Sequence, residues 1–254
     1  MLCGVFLDLA GVLYEGDHAI PEAIEAVERL RRNKLSVRFV TNSTRRPKRI
    51  ILQKLLAMGF AVDSSEILTP AEAACDWLRR EGYAPHLLVH PDLEEDFSHL
   101  PQGENIAVVV GDAGRYFTYD RMNAAFRELL NGAPLLALAT NRVFKDADGE
   151  LSLDTGAFVQ ALAFSSHIEP ILLGKPSPEF FLAGVQSMEC SAANVIMIGD
   201  DAESDVAGAL QAGIAGAILV RTGKYRDGDE RRYQPAPSFV ASDVAQAVQF
   251  LLSN

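Results

Sequence analysis

Val5-Phe6-Leu7-Asp8-Leu9-Ala10-Gly11-Val12-Leu13 is a short apolar run that ends on a carboxylate and then breaks at a glycine. It has an echo almost two hundred residues later in Val195-Ile196-Met197-Ile198-Gly199-Asp200-Asp201. Each stretch reads as a buried strand that delivers an acid to its C-terminal end. Continuous apolar strands of this kind belong to parallel sheets covered on both faces. In open α/β sheets the C-terminal rim is where ligands bind. Two carboxylates brought to one rim repel each other unless a cation lies between them. The same stretches therefore predict a parallel sheet and an acidic, cation-binding edge.

The flanking sequence alternates strand and helix. Residues 21–33 read as a helix opened by Pro21, with Ile24, Val27 and Leu30 on one face. Residues 35–40 form the next strand, 48–58 a helix stopped by Gly59, 66–69 a short strand, and 70–80 a helix that Gly82 ends. From Gly174 the pattern resumes: helix 178–188, strand 194–198, helix 205–212, strand 216–221, then strand 239–241 and helix 244–252. The middle keeps its own rhythm, with strands at 86–90, 106–111 and 135–140 and helices at 119–130 and 157–165. Asp146-Ala147-Asp148-Gly149 is a turn signal with Leu151 and Leu153 alternating after it. The expected organisation is a Rossmann-like α/β core in two parts, 1–83 and 173–254, with an α/β domain inserted at 84–172.

Bulk properties narrow the class. The 254 residues are 48% hydrophobic and 22% charged, ordinary for a globular enzyme. A net charge of −11 excludes general affinity for nucleic acid or anionic membranes. The three cysteines, Cys3, Cys75 and Cys190, are far apart and odd in number. That argues against a disulfide framework or a zinc site and suits a reducing cytosol. No apolar run reaches the roughly 18 residues of a membrane span, and no signal-peptide pattern opens the chain, so a cytoplasmic location is expected.

Four strand ends or adjoining loops carry complementary polar groups. Asp8 offers a carboxylate. Thr41 and Asn42 offer a hydroxyl and backbone N–H groups near a helix start, where anions bind. Lys175, in Gly174-Lys175-Pro176-Ser177-Pro178, offers a fixed positive charge, and Asp200, Asp201 and Asp205 offer further carboxylates. An acid, a hydroxyl, a lysine and an acidic metal-binding pair suit phosphoryl transfer, where positioning and charge neutralisation supply most of the catalysis.

In this order the four groups resemble the four motifs of the haloacid dehalogenase superfamily, over essentially the whole chain. Asp8-Leu9-Ala10-Gly11-Val12-Leu13 resembles the first motif, Thr41-Asn42 the second, Lys175 the third and Gly199-Asp200-Asp201-Ala202-Glu203-Ser204-Asp205 the fourth. Thirty-three positions separate Asp8 from Thr41, and 134 separate Thr41 from Lys175. That spacing resembles the C2-capped branch (subfamily IIA). The resemblance implies a Mg²⁺-dependent phosphatase acting on a small phosphorylated compound. It implies Asp8 as the nucleophile that forms an aspartyl-phosphate, and Mg²⁺ held by Asp8, the Ala10 carbonyl and Asp200. Thr41 and the backbone at Asn42 would grip the phosphoryl oxygens, and Lys175 would neutralise charge. Asp205 would orient Lys175 or a metal-bound water, with Asp201 nearby in a supporting place. Pairing of two copies through the cap is also implied.

Ala10 departs from the pattern, because most phosphatase members carry a second Asp there as general acid and base. General acid–base help is typically worth about 10²–10⁴ in rate. Good leaving groups should therefore be favoured. The alternative is a catalytically weak or inactive protein that binds a phosphorylated ligand or a protein partner. A dinucleotide enzyme is disfavoured by the lack of GxGxxG.

Overall fold

The computed structural model describes residues 2–145 and 150–253. The chain forms two compact units, one of residues 1–41, 49–68 and 175–254 and the other of 42–48 and 69–174. The turn expected at Asp146–Gly149 lies outside the described residues.

The first unit is built on a six-stranded sheet, all parallel. Its spatial order is Phe239–Ala241, Gly216–Val220, Val195–Gly199, Gly4–Asp8, Ser36–Val40, Ile67–Leu68. The chain starts in Gly4–Asp8, adds two strands on one side, then returns to add three on the other. The central Gly4–Asp8 strand is buried at every position, which is why its apolar run does not alternate. On one face, helices Ala23–Arg32 and Val244–Ser253, with Ile51 and Leu55 of Lys48–Ala57, enclose Val5, Leu7, Phe39 and Ile198. On the other, Phe6 meets Phe181 of helix Pro178–Ser187 at a ring separation of 6.1 Å. Each such fully buried side chain contributes roughly 1.5–3 kcal/mol over its exposed state.

The second unit has its own four-stranded parallel sheet, ordered Ile171–Leu172, Leu135–Ala137, Ile106–Val110, Ala84–Leu88. Helices Tyr119–Leu130 and Thr155–Ser166 cover one face through Ala125, Leu129, Val159 and Leu162. Helix Pro70–Glu81 covers the other, with Ala71, Ala74, Cys75 and Leu78 against Val109, Leu136 and Leu138. Pro70–Glu81 thus packs within the second unit, although its place in the sequence suggests the core. Its apolar stripe is equally suited to either sheet, and only tertiary packing chooses. Val143–Lys145 and Leu151–Leu153 pair antiparallel as a ribbon.

Two further expectations are corrected. The helix expected at 205–212 starts earlier, as a π-helical turn Ala202–Ala207 that runs into Gly208–Gln211. Asp201 initiates it by accepting from the N–H groups of Glu203 and Ser204 at 3.1 and 3.0 Å. The cysteine count also misleads, because Cys3 and Cys190 form a disulfide while Cys75 remains free and buried. Cys3 immediately precedes Gly4–Asp8 and Cys190 lies shortly before the neighbouring Val195–Gly199. The Cys3 N–H already donates to the Asn194 carbonyl at 2.8 Å. Parallel pairing therefore brings together two thiols 187 residues apart, which spacing rules do not see. No helix among the described residues is long and apolar enough to cross a membrane.

Candidate active site

Strand register assembles the site. Asp8, the last residue of its strand, lies opposite Val40, so Thr41 projects one residue beyond it on one side. Leu7 lies opposite Ile198, so Asp200 falls just past the end of the strand on the other side. The strands of Asp8 and Asp200 are the pair at which the winding reverses, the crevice where open α/β sheets bind ligands. Thr41 is buried, and its N–H donates to the Leu68 carbonyl at 3.2 Å, which fixes that strand end. Asn42, the next residue, belongs to the second unit.

Lys175 ties three elements together. Its ammonium donates to Asp8 Oδ1 at 2.5 Å and to Asp205 Oδ1 at 2.6 Å, with the lysine side chain only 3% exposed. The other oxygen of Asp205 accepts from the Asp201 N–H at 3.1 Å. Both Asp205 oxygens are thereby engaged, and Asp205 holds the lysine. The π-helical turn aims it there, into space that Gly199 leaves by lacking a side chain, since a Cβ at Gly199 would collide with the Asp205 carboxylate. Burial alone would lower the Lys175 ammonium, but the charges of Asp205 and Asp8 outweigh it and hold the pKa above its ordinary value. Asp201 is a helix cap whose other oxygen faces the Lys224 ammonium at 3.4 Å.

Asp8, Asp200 and Asp205 present oxygens that all lie within 4.8 Å of one another. At an effective dielectric near 20, two charges that close repel by about 3 kcal/mol or more. Burial, reinforced by the charges of Asp8 and Asp205, pushes the Asp200 carboxyl upward. Burial likewise raises Asp205 against the pull of Lys175. Three buried carboxylates with one lysine leave a net negative site in a protein that is acidic already. Oxygen donors without thiolate or imidazole are the set that a hard divalent cation takes, so the residues present fit one.

Ala10 was an expected site residue, whereas Tyr14 and the loop after Gly216–Val220 were not. Ala10 is exposed and forms a bridge with Tyr14. Its methyl group has no proton to give. Burial, with the charge of Asp8 added, pushes the Tyr14 hydroxyl up to about 12. Thr222-Gly223-Lys224, just beyond Gly216–Val220, closes over the acidic edge. The Thr222 hydroxyl donates to the Gly11 carbonyl and the Lys224 N–H to Asp200 Oδ2 at 2.7 Å. The two glycines, Gly11 at φ +88° and Gly223 at φ +64°, face each other at this contact. A paired glycine requirement at two distant loops is the only trace such a contact leaves in a sequence.

In the second unit, Asp112 Oδ1 accepts from the Gly114 N–H at 2.9 Å and the Asp112 N–H donates to the Thr44 hydroxyl at 3.0 Å. Asp154 caps helix Thr155–Ser166. The Asp112 loop is thus held both by its own turn and by Thr44, and Asp154 serves as a helix cap.

Comparison with known proteins gives a consistent picture. Residues 5–100 match a family described as haloacid dehalogenase-like hydrolase, and residues 172–247 match one described as HAD-hydrolase-like. The chain is 40% identical to the phospholysine phosphohistidine inorganic pyrophosphate phosphatase of Rattus norvegicus, over 99% of this chain and 94% of that protein. It is also 40% identical to haloacid dehalogenase-like hydrolase domain-containing protein 2 of Bos taurus, over 100% of this chain and 97% of that one. Among solved structures, the p-nitrophenyl phosphatase from Archaeoglobus fulgidus is similar with a TM-score of 0.88 at 27% identity, covering 97% of this chain and 98% of that one. NagD from E. coli K-12 follows at a TM-score of 0.85 and 25% identity, again covering 97% and 98%.

Proposed function

The chain belongs to the haloacid dehalogenase-like hydrolases, and on that premise we propose a Mg²⁺-dependent phosphatase that works through Asp8 and favours substrates with good leaving groups. The observation that carries this reading is the buried Asp8–Lys175–Asp205 network with Asp200 in the same cluster. Asp8, the Ala10 carbonyl and Asp200 would hold the cation. When bound, it would neutralise the carboxylates and the phosphoryl oxygens.

Within this proposal an Asp8 oxygen forms a bond to phosphorus as the bond to the leaving oxygen or nitrogen breaks. Lys175 holds the carboxylate in place and offsets charge gathering on the phosphoryl group. Thr41 and the Asn42 backbone grip the remaining oxygens, while Asp205 keeps Lys175 aimed. Water then attacks phosphorus and gives its proton to solvent, the Asp8–phosphorus bond breaks, inorganic phosphate leaves, and the carboxylate is restored. Ala10 can neither protonate the leaving group nor activate the water. The names of the relatives fit this pattern, because nitrophenolate and phosphate leave as stable anions and a phosphoramidate nitrogen that already carries its proton leaves as a neutral amine, each with less acid assistance than a sugar hydroxyl.

The test compares p-nitrophenyl phosphate, pyrophosphate and a sugar phosphate, each with Mg²⁺ or EDTA, in the wild type, Asp8→Asn and Ala10→Asp. The expected result is Mg²⁺-dependent aryl phosphate turnover that Asp8→Asn abolishes, with Ala10→Asp raising alkyl phosphate turnover. Equal rates on aryl and sugar phosphates would contradict the leaving-group argument. Ala10 also favours the second reading, a weak or inactive protein that binds a phosphorylated ligand or a partner. Turnover that appears only in Ala10→Asp would establish that one instead.

The inserted domain would act as the cap, and two copies would pair through it. Exposed Val143, Leu151, Leu153 and Phe164 support such a contact, and light scattering on the purified protein tests it. A cytoplasmic location completes the proposal. Trapping thiols in cells and mapping the Cys3–Cys190 pair checks it, and a fully oxidised pair would count against a reducing compartment.

A further inference from the structure

We infer that the Thr222–Lys224 turn is the positioning element that sets the affinity of the site for its divalent cation, with Thr222 as its key side chain. This rests on the reading that Asp200 and the Ala10 carbonyl hold the cation. Leu219 lies opposite Gly199 in the parallel ladder, so the chain leaving Gly216–Val220 emerges beside Asp200. It then makes three polar bonds. The Lys224 N–H donates to Asp200 Oδ2 at 2.7 Å, the Gly223 N–H donates to Glu15 Oε1 at 3.1 Å, and the Thr222 hydroxyl donates to the Gly11 carbonyl.

Two of these bonds, those to Asp200 and Gly11, fall on segments that present a proposed cation ligand. Asp200 Oδ2 pinned by a backbone N–H stops the carboxylate from rotating. The Gly11 carbonyl pinned by Thr222 fixes the Gly11–Val12 peptide, one unit beyond the Ala10 carbonyl, while the Gly11 N–H of the Ala10–Gly11 peptide donates to the Tyr14 carbonyl at 2.8 Å. Gly11 and Gly223 permit this approach. A Cβ on Gly223 would come within 2.5 Å of the Gly11 Cα and 3.0 Å of the Asp200 Cγ. The turn thus holds two ligands from two strands without contacting the cation, as supporting groups do in metal sites.

Loss of such a supporting group typically lowers metal affinity about 10–100-fold. Calorimetric titration of Mg²⁺ into the EDTA-stripped, dialysed full chain, without substrate, reads the effect directly. Thr222→Val should raise the Mg²⁺ Kd at least about tenfold, Gly223→Ala should raise it further, and Thr222→Ser should stay near wild type. Maximal turnover of Thr222→Val should return at saturating Mg²⁺. Mg²⁺ binding by Thr222→Val equal to wild type, while Asp200→Asn binds poorly, would overturn the inference and leave the Asp200 reading intact. Wild-type affinity in Asp200→Asn would instead remove the reading on which the inference stands. Should Gly223→Ala fail to fold, the Thr222→Val and Thr222→Ser pair decides alone.

Discussion

Replacing Lys175 by methionine removes one charge and keeps most of the side-chain volume, so its effect on stability reports the electrostatics of the site. The ammonium is buried and makes two charge-assisted hydrogen bonds, at 2.5 Å to Asp8 and 2.6 Å to Asp205. Bonds to charged groups contribute about 1.5–3 kcal/mol each, and breaking a buried pair by removing one partner costs about 3–5 kcal/mol. The partners left behind are carboxylates that already repel one another, so the upper part of that range applies. For a chain of this size that corresponds to a fall in Tm of roughly 8–20 °C. Urea unfolding followed by circular dichroism, in EDTA and in millimolar Mg²⁺, is the assay. In EDTA the full loss should appear. In Mg²⁺ it should shrink, because a cation among the carboxylates substitutes for part of the missing charge. Adding Asp205→Asn to Lys175→Met should restore stability, since the double variant no longer leaves that buried anion unpaired. A Lys175→Met protein as stable as wild type in EDTA, with no response to Mg²⁺, would refute the account of the site as a compensated acidic cluster.

Three other outcomes follow from the same structure. Burial, then the charges of Asp8 and Asp205, pushes Asp200 from 3.8 up to about 8. A folded-state pKa above the unfolded one gives stability that is complete below the unfolded value and lost as pH rises through the folded one. Metal-free protein should therefore lose stability between about pH 5 and pH 8, and Mg²⁺ should remove that slope; a metal-free Tm that climbs over this interval contradicts it. Burial pushes the Cys75 thiol up to about 12, so a thiol reagent should leave the native protein unmodified and find one thiol per chain after unfolding without reductant. Three thiols would mean an open Cys3–Cys190 pair. Gly184→Ala would set a Cβ 2.7 Å from Leu68 Cδ1 and 2.8 Å from Phe6 Cε1. Overpacking of that kind costs about 1–3 kcal/mol, read from the urea midpoint.

The parallel core was legible because its strands are buried on both faces and carry their acids at one end, as at Asp8 and Asp200. Parallel register then forces those ends together, so the positions of Asp8, Thr41 and Asp200 along one edge follow from the strand pattern. The residue pattern alone offered Lys175 and Asp205 only as residue types, and it was the family resemblance that implied an Asp205 orienting Lys175. Their meeting depends on the π-helical turn Ala202–Ala207, whose start Asp201 fixes by local hydrogen bonds. The packing of Pro70–Glu81 in the second unit was hidden because an amphipathic helix carries no label for its sheet. The Thr222–Lys224 contact was hidden for a different reason: apart from the Thr222 hydroxyl, it uses backbone N–H groups and space beside glycine, and a lone threonine in a loop is a weak signal. Cysteine spacing misled where tertiary proximity, through adjacent parallel strands, joined residues 187 positions apart.

That bond also makes most of the chain a covalent ring. Asp8, Thr41, Lys175 and the entire inserted unit lie on the segment between Cys3 and Cys190, while Asp200 and Asp205 lie on the tail beyond it. A protease that cuts the ring once, anywhere in the inserted unit, releases no fragment, and the acids stay tethered to each other. With the bond intact, one cut can part Asp8 from Asp200 in the interior of the chain only between Cys190 and Asp200, a segment that includes the largely buried strand Val195–Gly199. Within the ring itself, a single cut divides the site only after reduction.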